Sequence, residues 1–121
     1  MAFTSPPPAE KTKEKQKMDA SCKIVYQARP LCNYFSVAGT IDAQAEAQLM
    51  GLPAQVDQQL VKFDFSNAGR INSMGIALLL RCFKRIKEEK KADIQVLQLN
   101  SMNTMLFKMT GIFLLAAAAK E

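Results

Sequence analysis

The chain contains no histidine and no tryptophan, and only three of its 121 residues are cysteine. Without histidine, Ser-His-Asp and Cys-His catalytic sites cannot be assembled. Histidine-ligated zinc or iron is excluded as well. Acid–base chemistry by Asp or Glu stays open in principle, yet nothing in the pattern marks a catalytic residue, a cofactor site or a metal site. Cys22, Cys32 and Cys82 form no C-x-x-C pair and are odd in number. This argues against a disulfide framework and for reduced thiols in a cytoplasmic chain. Residues 1–19, MAFTSPPPAEKTKEKQKMD, hold three prolines and many charges where a secretory signal has its apolar segment, so no signal peptide is expected. IFLLAAAA near the C-terminus is eight residues long, well short of the roughly 20 that span a bilayer as a helix. No direct membrane insertion is expected.

What is present suits one globular domain. Apolar residues make up 49% of the chain and mean hydropathy is close to zero at −0.05. A domain of this length can bury a core without disulfides or metal. With aromatics at 7%, that core is expected to be mostly aliphatic and methionine. The net charge of +5 is unevenly placed: residues 1–18 carry +2, residues 81–91 carry +4, and the rest carries −1. A basic helix face of this kind can attract nucleic acid. No aromatic interleaving or docking motif accompanies it, so a solvated face and no nucleic-acid partner are expected.

Residues 1–20 read as a disordered tail rich in Pro, Lys and Glu. A domain is expected over 21–117, with 118–121 as its C-terminal end. CKIVYQA (22–28) and NYFSVAG (33–39) read as strands, close enough in sequence to be antiparallel neighbours. Asp42 is a candidate N-cap for a helix that Gly51 and Pro53 cut short. LVKFDFS (60–66) is a strand with Val61, Phe63 and Phe65 on one face. Residues 66–70 read as a loop. A long helix follows over 74–90, its apolar stripe formed by Ile76, Leu79, Leu80, Phe83 and Ile86. DIQVLQL (93–99) is another strand. A last helix, capped by Asn100 or Ser101 and ended by Gly111, is expected to bury Met102, Met105, Leu106 and Met109. The order β-β-α-β-α-β-α implies an α/β fold, a small mixed sheet with helices packed on it through right-handed crossovers. In such folds, sites gather beyond the carboxyl ends of the strands.

RINSMGIALLL (70–80) occupies such a place. Ser73 opens the long helix and has two physical readings there. As an N-cap it satisfies a free backbone N–H, worth roughly 1 kcal/mol, although Ile76 stands where a capping box needs Glu or Gln. As a phosphate acceptor it holds the anion at the positive end of the helix dipole and adds nearly two negative charges to a neutral surface. A nucleophile is not supported, because INSMG lacks the leading glycine of G-x-S-x-G and no histidine exists to activate the hydroxyl.

Three stretches resemble the STAS-domain family, and most of all its stand-alone anti-sigma-factor antagonists. FSVAGTID is similar to the family's strand ending in Gly-x-apolar-Asp. VKFDFSNAGRINSMGIALLL is similar to its strand, loop and helix, and FKMTGI to its closing segment. The match runs over residues 22–115. The resemblance implies a regulator with no catalysis of its own, in which Ser73 is the phosphate acceptor and Asp42 the aspartate beside it. Asp42, Asn72, Met74, Gly75 and Ile76 fall in its partner-binding surface. It further implies binding to an anti-sigma factor that is itself a serine kinase, release on phosphorylation, and resetting by a PPM-type phosphatase. Two positions depart from the pattern: Asn72 stands where the antagonists have Asp, and Met74 where they have Ser or Thr. The same segment also resembles cytoplasmic STAS subunits of ABC-type lipid transporters, which bind the transporter ATPase.

Overall fold

The computed structural model describes residues 21–119; the expected tail lies outside them. β1 (Lys23–Ala28) and β2 (Asn33–Ile41) form an antiparallel hairpin, with Lys23 opposite Ala38 and Ala28 opposite Asn33. β2 then runs parallel to β3 (Leu60–Ile71), β3 to β4 (Asp93–Leu97) and β4 to β5 (Ala117–Ala119). The five strands lie side by side in chain order. Between them run α1 (Glu46–Gly51), α2 (Ser73–Lys90) and α3 (Ser101–Thr110), with short 3-10 turns at Ala43–Ala45, Pro53–Gln55 and Ile112–Leu114. This is the expected mixed α/β sheet with a fifth strand added. Among the described residues, no helix is long and apolar enough to cross a membrane.

Alternation along β3 decides where the helices pack. Val61, Phe63 and Phe65 are buried, while Lys62 and Asp64 on the other face are half-buried. Phe63 meets Phe83 of α2 at 4.9 Å between ring centroids, and Phe65 meets Phe107 of α3 edge-on at 5.5 Å. Both helices therefore cover the same face of the sheet, as right-handed crossovers require. The α2 stripe is buried as expected at Ile76, Leu79, Phe83 and Ile86, with Leu78 and Cys82 added.

The core is mostly aliphatic, as expected, but phenylalanine takes the place expected for methionine. Phe35, Phe63, Phe83 and Phe107 are its largest fully enclosed side chains, and Met102, Met105 and Met109 are exposed. The short helix α3 turns Asn103 and Phe107 inward instead. Phe107 sits between Phe65 and Phe113 and gains more from burial than a methionine does. The Asn103 side-chain amide donates to the Gly69 carbonyl at 3.4 Å.

That carbonyl stands within reach of α3 because residues 66–70 are strand and not the expected loop. β3 continues through them to Ile71 with two bulges. Ser36 pairs Asp64 but Ala38 pairs Asn67, and Gly39 pairs Ala68 but Ile41 pairs Ile71. Each time β3 carries one residue more than β2. β4 pairs only as far as Asp64, so the end of β3 is laddered to β2 alone.

Two polar side chains finish the sheet. Asn33, fully buried, donates to the Tyr26 hydroxyl and to the Asp57 carboxylate, each at 2.9 Å. Its side-chain oxygen accepts from the Asp57 and Gln58 N–H groups at 3.0 and 2.9 Å. Gln48 of α1 accepts from the Ile24 N–H at 3.0 Å and donates to the Cys22 carbonyl at 2.8 Å, which places an amide along the outer edge of β1.

Candidate functional site

The site stands where two neighbouring parallel strands end together. Ile41 and Ile71 are in register, so Asp42 and Asn72 leave the sheet at the same level. The Asn72 N–H donates to the Ile41 carbonyl at 3.2 Å, which holds the start of α2 against the end of β2.

Local hydrogen bonding sets each side chain. Asp42 is extended, and its carboxylate accepts from the Gln44 N–H at 3.0 Å, capping the turn that leads into α1 as expected. Asn72 is also extended. Its side-chain oxygen accepts from the Gly75 N–H at 2.8 Å, and its carbonyl accepts from the Ile76 N–H at 2.9 Å. The N-cap of α2 is thus Asn72, one residue ahead of the serine for which that role was expected. Ser73 is the first helical residue, exposed, with its hydroxyl free of the capping task. Asp and Asn present the same acceptor oxygen to such an N–H. The departure at Asn72 therefore keeps the cap while removing a negative charge beside Ser73.

Gly75 explains how close the elements come. A Cβ built on it lies 2.2 Å from the Ile41 carbonyl oxygen. Only glycine lets α2 begin this near β2. Of the six residues expected at the site, Asn72, Ser73 and Met74 are exposed, with Met74 at 49%, and Asp42 is half-buried. Gly75 and Ile76 are buried. They offer a partner no side-chain surface, and their part is to seat the helix. The close approach of Gly75 was not foreseen; its signal was a glycine in a helix's first turn, where propensity alone disfavours it.

The electrostatics are simple. Cys22 lies in the field of Asp42. Burial first, and that carboxylate second, push its thiol up from 9.0 to about 11. Cys82, on the buried face of α2, is raised to about 12 by burial, with Arg85 opposing. Both thiols stay protonated at neutral pH and are poor nucleophiles. Among the described residues, no group of three or more His, Cys, Asp or Glu side chains is placed to hold a metal ion. What the surface offers is a hydroxyl at the positive end of an 18-residue helix, next to an exposed methionine and at the same end of the sheet as the Asp42 carboxylate.

Comparison with known proteins gives a structural answer only. No sequence-family model matches the chain, and no curated protein matches it. An anti-sigma factor antagonist from Mycobacterium paratuberculosis superposes with a TM-score of 0.68 at 17% identity, over 83% of this chain and 88% of that one. The anti-sigma factor antagonist SpoIIAA in its unphosphorylated form superposes with a TM-score of 0.64 at 15% identity, over 84% and 90%. The Bacillus cell fate determinant SpoIIAA in its phosphorylated form gives 0.58 at 15% identity, over 84% and 93%. The chain therefore has the fold of the anti-sigma factor antagonists, the STAS fold.

Proposed function

We propose that the chain is a non-catalytic regulator of a partner-switching pathway, working by binding and release. In its unmodified form the surface around Asp42, Asn72, Ser73 and Met74 binds an anti-sigma factor that is also a serine kinase. Phosphorylation of Ser73 ends that binding, and a PPM-type phosphatase restores it. The observation that carries the reading is the position of Ser73, exposed as the first residue of α2 and not used as its cap. Helix-end N–H groups and the dipole tolerate a phosphate there without unfolding the helix. The added charge faces outward beside Asp42, so a partner fitted to the neutral surface is repelled and no rearrangement is needed. SpoIIAA, which shares the fold, exists in phosphorylated and unphosphorylated forms.

The test is phosphate incorporation from ATP by candidate serine kinases, mapped by mass spectrometry on wild type and Ser73→Ala. The expected result is modification of wild type at Ser73 and none of the variant. Equal uptake by both refutes the acceptor assignment. A permease and ATPase co-purifying in place of a kinase would transfer the binding surface to the transporter-subunit reading.

A further inference from the structure

The methionines that α3 leaves outside the core have no part in the Ser73 site as described. Met102, Met105 and Met109 are 73%, 58% and 77% exposed. Their i, i+3, i+7 spacing sets them on one strip about two turns long. A single exposed methionine needs no explanation, whereas three in a strip form an apolar patch on the surface. Their flexible, polarisable side chains suit contact with another apolar surface.

α3 itself carries charge of one sign. α3 has no acidic residue and bears Lys108. Leu99, Ser101, Thr104, Met105 and Lys108 line an open cavity of about 320 Å³, and Met105 belongs to both strip and cavity. An occupant thus meets apolar contacts along the strip, a recess beside it and an ammonium group on the rim. α3 is held to the end of β3 that leads to Ser73 by its inner face, where the buried Asn103 side chain donates to the Gly69 carbonyl, four residues ahead of Ser73.

We propose that this strip docks an amphipathic helix of the protein partner, with apolar residues at i, i+3 and i+7 and acidic residues flanking them. The proposal rests on reading the Ser73 end as a partner surface, and it extends that surface along α3. Its length and spacing match helix recognition by apolar anchors. Charge selects the partner over a second copy of the chain, since a second α3 brings another Lys108 and no carboxylate.

The experiment uses the full chain with methyl-labelled methionine and two synthetic helical peptides. Both carry the same leucine strip; one is flanked by glutamate and the other by lysine. The glutamate peptide is expected to shift the methyl signals of Met102, Met105 and Met109 while leaving that of Met50, and the lysine peptide to shift none. Replacing the three residues by Gln is expected to weaken binding at least about tenfold, the scale of clustered anchor residues, with the thermal midpoint kept. K108E is expected to move the preference toward the lysine peptide. Silence with both peptides, equal response to both, or shifts that appear on concentrating the chain alone overturns the proposal. Ser73→Ala separates the two readings. Phosphorylation at Ser73 with a silent methionine strip defeats the docking proposal alone. A responsive strip with no phosphate at Ser73 defeats the acceptor assignment alone.

Discussion

Replacing Gly75 by alanine tests the geometry on which the site depends. The new Cβ would start 2.2 Å from the Ile41 carbonyl oxygen, and real contacts of this kind stay beyond 3.0 Å. The obstacle is backbone at the end of a paired strand, so the first turn of α2 has to move instead. Overpacking of this kind costs about 1–3 kcal/mol. Opening the gap also strains the bond from the Asn72 N–H to the Ile41 carbonyl, worth roughly 1 kcal/mol. Alanine returns about 1 kcal/mol through its better helix propensity. The expected balance is a loss of about 2 kcal/mol, or a fall in thermal midpoint of ~8–16 °C for a domain this size. Gly51 supplies the control, because a Cβ there meets nothing within 4 Å; Gly51→Ala is expected to be neutral or to stabilise by up to about 1 kcal/mol. With no tryptophan in the chain, far-UV circular dichroism during urea unfolding is the suitable probe. A Gly75→Ala protein as stable as wild type would refute the close approach.

Asn72→Ala removes the cap and is expected to cost about 1 kcal/mol, whereas Asn72→Asp keeps the acceptor and gains a few tenths from the helix dipole; chemical denaturation of both variants checks the order, and equal midpoints would count against the assigned cap. Asn33→Leu deletes four hydrogen bonds from a fully buried position and is expected to lose about 2–4 kcal/mol, with a stable variant showing the network to be dispensable. The raised thiols give a pH dependence. The folded protein holds their protons above the ordinary 9.0, so the stability they contribute is complete below pH 9 and lost as pH rises toward about 11 for Cys22 and 12 for Cys82. Cys82→Ala is expected to flatten that alkaline decline of the urea midpoint, and an unchanged slope contradicts the assignment.

Much of this architecture was legible because it is written in local periodicity. Val61, Phe63 and Phe65 alternate with Lys62 and Asp64, and Ile76, Leu79, Phe83 and Ile86 repeat at helical spacing. Either pattern buries only one way. The end of β3 was illegible for the opposite reason. SNAGR is small and polar, and it is a strand only because β2 lies beside it and the extra residues bulge. That partner is far away in sequence. On α3 two stripes competed, one of methionines and one of Asn103 with Phe107. Periodicity cannot rank them without knowing that Phe65 and the Gly69 carbonyl wait opposite the second. Ser73 was placed correctly at the start of α2, but its cap is Asn72, since two adjacent residues could each serve and the backbone bond to Ile41 selects the first.

Gln48 has a consequence for how the protein behaves in a crowded solution. Among the described residues β1 is the outermost strand on its side, and an unfinished edge of that kind invites pairing with any extended segment nearby. The Gln48 amide occupies the Cys22 carbonyl and the Ile24 N–H as the next strand would. An incoming chain must first pull a helix-borne side chain off the backbone, so self-association through this edge carries a built-in toll on its first step.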